Sequence, residues 1–276
     1  MGFGEAAPSP EAMVVRPRLR VNSHGAAHAL ACAVALVACA CERMGSAADF
    51  EITATYAHDA TAYTQGLLTA DSVLYESTGR YGVSDVRRVH IRTGEVLART
   101  PIAANQFGEG LAMHAGKLYQ LTWKAGAAYV YAPETLAPLD SFRYTGEGWG
   151  LASDASRLYM SDGSDSIRVL VPETFAVERV IRVRYRGAPL LRLNELEVFA
   201  GMLLANVYES NWIAQIEIGS GEVLRMLNFS DLYPRRPPRA DVMNGIAVTP
   251  DGTQLLLTGK LWPTMFQVRL RSSTTP

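Results

Sequence analysis

The sequence predicts an all-β chain folded as a five-bladed β-propeller, with four antiparallel strands in each blade. Three observations carry this expectation. Past residue 50 the chain reads as short alternating apolar and polar runs punctuated by Asp, Gly and Pro, with no long stretch of helical periodicity. A small block recurs as Thr64-Gln-Gly-Leu67, Gly108-Glu-Gly-Leu111, Gly148-Trp-Gly-Leu151, Leu193-Asn-Glu-Leu196 and Met243-Asn-Gly-Ile246. Marked at Gly66, Gly110, Gly150, Glu195 and Gly245, the blocks lie 44, 40, 45 and 50 residues apart, which is the period of a four-stranded blade. The last block has room for only three strands, near 244–249, 254–259 and 265–270, while an orphan strand Phe50–Tyr56 precedes the first block. Pairing the orphan with the final blade closes the ring and removes exposed edges.

The elements follow in order. Residues 13–41 read as an export signal, with Arg16, Arg18 and Arg20 as its basic start and an apolar run, Ala26 to Ala38, too short to span a bilayer. Met13 offers an alternative start, since residues 1–12 fit no part of a signal. Leu36-Val37-Ala38-Cys39 resembles a bacterial lipobox, so Cys39 is the expected lipidation site and the first residue after cleavage. A plain signal peptide, cut near residue 47, is the alternative. Either way the chain is expected outside the cytoplasm, on the periplasmic side, meeting the membrane only through that anchor. The division is then 1–38 export signal, 39–49 tether, 50–271 propeller and 272–276 tail. Within the propeller, candidate strands are Ser72–Thr78, Val86–Ile91, Lys117–Trp123, Ala128–Tyr131, Arg157–Ser161, Ile167–Val171, Val198–Tyr208, Ile213–Ile218 and Leu255–Thr258. Turns at Thr93–Val96, Pro133–Leu136, Pro172–Phe175 and Gly219–Val223 separate third from fourth strands.

Composition excludes several kinds of function. In 276 residues, 48% are apolar and 19% charged, enough for a large buried core and unlike a disordered chain. The formal net charge of −1 gives no electrostatic reason to expect nucleic acid as a partner. All three cysteines, Cys32, Cys39 and Cys41, fall in the leader region, so the propeller has no thiolate nucleophile and no disulfide framework. His58, His90 and His114 are widely spaced, which argues against a histidine-rich metal site. No Gly-x-Ser-x-Gly elbow is present.

A propeller places the innermost strand of each blade against a central channel, and glycine there lets backbones approach closely. That accounts for the repeated glycine but not for its changing neighbour: Gln65, Glu109, Trp149, Asn194 and Asn244 occupy equivalent positions in the five blocks. Amides, a carboxylate and an indole converging on one axis, with aromatics Tyr63, Phe107, Trp123, Tyr208 and Trp262 at related offsets, describe a small-substrate pocket. Lys260 joins them from the last blade, in Thr258-Gly-Lys-Leu-Trp-Pro263.

Several runs resemble plant-type glutaminyl cyclotransferases, also found in bacteria: Tyr63-Thr-Gln-Gly-Leu67, Leu74-Tyr-Glu-Ser-Thr-Gly79, Phe107-Gly-Glu-Gly-Leu111 and Tyr119-Gln-Leu-Thr-Trp-Lys124. Gly146-Glu-Gly-Trp-Gly-Leu151, Met160-Ser-Asp-Gly-Ser164, Leu193-Asn-Glu-Leu-Glu197 and Thr258–Pro263 continue the likeness over residues 56–268. The resemblance implies conversion of N-terminal glutamine of peptides and proteins to pyroglutamate with release of ammonia, by a monomer that requires no cofactor beyond a structural cation in the channel at most. It implies Glu109 as catalytic acid/base. Gln65, Asn194 and Lys260 become polar binding groups, and Phe107, Trp123 and Trp149 the aromatic wall. Tyr63 stands where the family generally has Phe and Tyr208 where it has Trp, two departures that bear on substrate binding. The competing readings are a non-catalytic, lipid-anchored propeller that only binds, and a metal-dependent lactonase-like hydrolase.

Overall fold

The computed structural model describes residues 49–271; the segment expected to be an export signal, Cys39 and the tail from 272 lie outside the described residues. Five four-stranded antiparallel sheets form the five blades of a propeller. Blade 1 runs Thr64–Ala70, Val73–Thr78, Asp85–His90 and Val96–Pro101 from the axis outward, and blade 2 runs Gly108–His114, Lys117–Thr122, Ala127–Tyr131 and Pro138–Arg143. Blade 3 comprises Leu151–Ser153, Leu158–Ser161, Ser166–Val171 and Ala176–Arg182, and blade 4 comprises Leu193–Phe199, Met202–Val207, Trp212–Ile216 and Val223–Asn228. Blade 5 takes Met243–Val248, Leu255–Gly259 and Thr264–Leu270 from the end of the chain, and its outermost strand is Phe50–Ala57. The ring therefore closes as the sequence predicts, with Phe50 opposite Leu270 and Ala57 opposite Thr264.

Asp49 secures that closure. Its carboxylate accepts from the Asn228 amide at 2.8 Å and from Arg225 Nη2 at 2.8 Å, joining the first described residue to blade 4. Inside the blades, alternating residues face neighbouring blades rather than the interior of one sheet, so the core is divided among the interfaces. Leu68, Tyr75 and Val86 of blade 1 pack with Leu111, Leu118 and Leu136 of blade 2, and four further clusters fill the remaining interfaces in the same way. Each blade is thus held by its neighbours, and the stability of any one depends on the closed ring.

Two departures from the sequence expectation have physical causes. Val198–Tyr208 is not one strand: Ala200 and Gly201 both take left-handed backbone and fold it into a hairpin between the first two strands of blade 4. The uneven spacing of the repeat comes from additions between blades. Arg184–Tyr185 and Ala188–Pro189 form a two-stranded ribbon between blades 3 and 4. Before blade 5, the segment from 229 to 242 folds Phe229, Leu232 and Tyr233 onto Trp262 and Phe266.

Beneath blade 1 lies a buried ion pair. His58 Nε2 meets Glu76 Oε1 at 3.1 Å while Nδ1 meets the Trp262 carbonyl at 2.6 Å. Burial alone would push the imidazolium down, but the Glu76 carboxylate and the Trp262 carbonyl outweigh it, and His58 titrates above its ordinary value. His58 thus ties the end of the closing strand to blade 1 through Glu76 and to the 259–263 turn through Trp262 O, and the Leu261 amide of that turn also donates to Ala62 O at 2.7 Å.

Candidate active site

In four blades the innermost strand slips register at the same place, between Thr64 and Gly66, Gly108 and Leu111, Leu193 and Leu196, and Met243 and Ile246. Gln65, Glu109, Asn194 and Asn244 sit in these slips. A bulge frees a residue from the ladder and turns its side chain away from the alternation of its strand, here toward the axis. Blade 3 achieves the same without pairing: Trp149 precedes the strand, held by its amide to Ser161 O at 2.9 Å. Glycine follows in four of the blocks, and at Gly66, Gly110 and Gly150 it is a matter of space. A Cβ on Gly110 would overlap the Leu151 amide of the next blade, and one on Gly150 would overlap the Asn194 carbonyl.

The bulges open at the N-terminal ends of the inner strands, beside the C-terminal ends of the second strands that carry Trp123, Tyr208 and Lys260. Together they enclose a cavity of about 400 Å³. Its lining is Tyr63, Gln65, Phe107, Glu109, Trp123, Trp149, Asn194, Tyr208 and Lys260, so nine of the residues expected to shape the pocket meet in one cavity. Trp262 does not: it is fully buried in the core, its indole donating to Asp241 O at 2.8 Å. Asn244 stands behind the lining and donates to Gln65 Oε1 at 3.3 Å and Thr64 O at 3.0 Å. Gln65 in turn donates through Nε2 to Glu109 Oε1 at 2.9 Å. The chain of amides fixes one oxygen of Glu109 and uses both ends of the Gln65 carboxamide.

Electrostatics at the floor are set by burial. Glu109 is 5% exposed, and desolvation holds its carboxyl well above the usual carboxylate range; the Lys260 charge opposes this and the Glu147 charge adds to it. Lys260 is pushed down by burial, against the pull of Glu109 and Asp241. Its ammonium lies 4.8 Å from the Tyr63 ring centroid and 4.9 Å from that of Tyr208. Tyr63 and Tyr208 are therefore the two rings that flank the lysine, where a cation gains from the aromatic faces.

The aromatic wall is a connected run of edge-to-face contacts, Tyr63 to Phe107 at 6.2 Å and Phe107 to Trp123 at 5.7 Å, with Trp149 against Tyr208 at 5.5 Å. Trp149 lies over Gly163, where a Cβ would come within 2.7 Å of the indole. Asn194 is 2% exposed, and its Oδ1 has no partner among the described residues.

Glu195, aligned with the axial glycines in sequence, does not line the cavity. It is fully buried and reaches across the axis, Oε2 accepting from the Ile246 amide at 2.9 Å and Oε1 from the Leu67 amide at 3.3 Å. Beyond it, at the opposite end of the inner strands, a second cavity of about 290 Å³ holds Glu197, whose carboxyl burial pushes up to about 8. Among the described residues no three His, Cys, Asp or Glu side chains cluster as metal ligands.

Comparison with known proteins agrees with this architecture. The family model for glutamine cyclotransferase matches residues 26–270. A glutaminyl-peptide cyclotransferase from Arabidopsis thaliana is 37% identical over 232 residues, covering 82% of this chain and 72% of that protein. The crystal structure of the Myxococcus xanthus glutaminyl cyclase superposes with a TM-score of 0.75 at 34% identity, over 80% of this chain and 96% of that one. A matching family model over most of the chain and a relative of this similarity together place the protein: it belongs to the glutamine cyclotransferase family.

Proposed function

We propose that the protein cyclises N-terminal glutamine of peptides and proteins to pyroglutamate with release of ammonia. The observation that carries the reading is a single buried carboxyl, Glu109, oriented by Gln65 on the floor of an aromatic cavity beside Lys260. The substrate's neutral α-amine attacks its own γ-carboxamide carbon. The reaction is intramolecular, so the site has to select the folded conformer and move one proton. Glu109, ionised at the start, takes a proton from the amine as the ring C–N bond forms and delivers it to the departing amide nitrogen, which leaves as ammonia. A carboxyl raised toward neutrality suits both halves of that transfer. Lys260 is assigned the carbonyl oxygen, where negative charge grows before the old C–N bond breaks. Gln65 is engaged at both ends by Glu109 and Asn244, so its role is orientation; Asn194 Oδ1, without a partner among the described residues, is the acceptor for the substrate amine. Phe107, Trp123 and Trp149 enclose the side chain and keep water from the floor.

Purified protein incubated with a Gln-initiated peptide is expected to release one ammonia per peptide, faster than the spontaneous rate and undiminished by exhaustive chelation. Folded protein without turnover would leave only a binding module, and loss of turnover on chelation would point to a metal-dependent hydrolase. The address belongs to the same proposal. The basic start, the short apolar run and Cys39 support an exported protein, lipid-anchored on the periplasmic side and acting as a monomer. Metabolic labelling with a radiolabelled fatty acid is expected to mark the wild type and not Cys39→Ser; equal labelling of both would refute the anchor.

A further inference from the structure

Trp123 and Trp149 come from different blades, yet their indole N–H groups point to one atom. Glu147 Oε2 accepts from Trp123 Nε1 at 2.6 Å and from Trp149 Nε1 at 2.9 Å. The backbone around them is already held, since the Gly148 amide donates to Trp123 O at 3.0 Å and the Trp149 amide to Ser161 O. What the carboxylate adds is the rotation of the rings. An ion pair is a poor alternative explanation for Glu147: Lys124 Nζ lies 3.6 Å from Oε1, and both side chains are open to water, at 55% and 38% exposure. Exposed pairs of that kind contribute little, whereas hydrogen bonds to an ionised acceptor are the strong ones. Lys124 itself sits 3.9 Å over the Trp123 ring, which makes it part of the same assembly.

We propose that Glu147 is a positioning residue that sets the aromatic wall of the pocket by holding both indoles on one carboxylate oxygen. The inference builds on the cyclotransferase reading, since the wall it sets is the one that encloses the glutamine side chain. Its charge has a second consequence. A fixed negative charge near Glu109 disfavours ionisation of that carboxyl, so Glu147 acts on both the shape of the site and its proton chemistry.

The test uses the full chain and two variants, Glu147→Ala and Glu147→Gln. The protein has four tryptophans, hence four indole N–H resonances in a ¹⁵N-labelled sample. In Glu147→Ala two of the four are expected to move upfield as they lose their acceptor. KM should rise about tenfold or more, with kcat within a few-fold of wild type. Glu147→Gln keeps an acceptor oxygen and should recover most of the KM. It lacks the charge, so Glu109 ionises more readily and the acidic limb of kcat moves to lower pH. Unmoved indole resonances in Glu147→Ala would overturn the proposal, as would moved resonances with an unchanged KM. A lowered thermal midpoint with unmoved resonances would make Glu147 an ordinary structural residue. Should the wild type itself fail to turn over glutamine peptides, the cyclotransferase reading falls, and the indole spectra still decide whether Glu147 sets the rings.

Discussion

Replacing Glu109 by glutamine is expected to lower kcat by roughly 10²–10⁴-fold, the usual contribution of a positioned proton-transfer group. The substitution is close to isosteric, and Gln65 Nε2 retains a carbonyl oxygen to donate to. The cavity keeps its shape, so KM should change little. Folding stability should not fall, because the group removed is a carboxyl whose ionisation burial already opposes. Ammonia release under saturating peptide, with a thermal melt on the same preparation, checks both halves of the expectation. A fully active Glu109→Gln would refute the proton shuttle while leaving the overall reaction standing.

The second large effect is on stability and lies away from the chemistry. Glu195→Ala is expected to cost about 3–5 kcal/mol, from the cavity it leaves and from two buried amides, of Leu67 and Ile246, deprived of their acceptor. Glu195→Gln retains an oxygen at the same place and should be far milder. Burial raises the Glu195 carboxyl well above its ordinary value of 4.5, with the Glu197 charge adding to it, so ionisation is disfavoured in the folded protein. The sign follows directly: its contribution is fully present below about pH 4.5, the unfolded value, and is lost as pH rises through the folded value. Urea denaturation across that range should show wild-type stability declining with pH more steeply than that of Glu195→Gln. Parallel pH profiles for the two proteins would show that Glu195 does not titrate with folding.

The ring was legible in the sequence because a propeller repeats itself, and the five blocks mark every inner strand. The strand 50–57 was legible for a related reason: the last repeat lacked one. The axial part of the lining could be read because the bulge comes at the same point of four blocks and Trp149 takes the matching place in the fifth, so sequence alignment of the blocks is also spatial alignment. Glu147 was hidden because its partners are set by two blades meeting, and its Gly-Glu-Gly context looks like any solvated turn. Glu195 was visible as the exception among axial glycines, but its reach across the axis to blades 1 and 5 depends on the ring being closed. The ribbon at 184–189 and the segment 229–242 interrupt the period and carry no repeat of their own. Their only signal was the lengthened spacing before Glu195 and Gly245.

The pairing of Phe50–Ala57 with Thr264–Leu270 also fixes an order of events in the life of the chain. Within the propeller, the strand synthesised first waits for the one synthesised last, so the ring cannot close before Thr264–Leu270 has emerged. Until then Phe50–Ala57 and the outer edge of Thr264–Leu270 are unpaired, a state open to misassembly with other chains. Contacts spanning nearly the whole sequence also make closure slow, because the ends must meet before they are rewarded. Lys260 rides on the final blade, so the cavity gains its cation only with the last of the five blades. A half-made chain therefore has the aromatic wall but not the charge, and activity should appear together with closure rather than blade by blade.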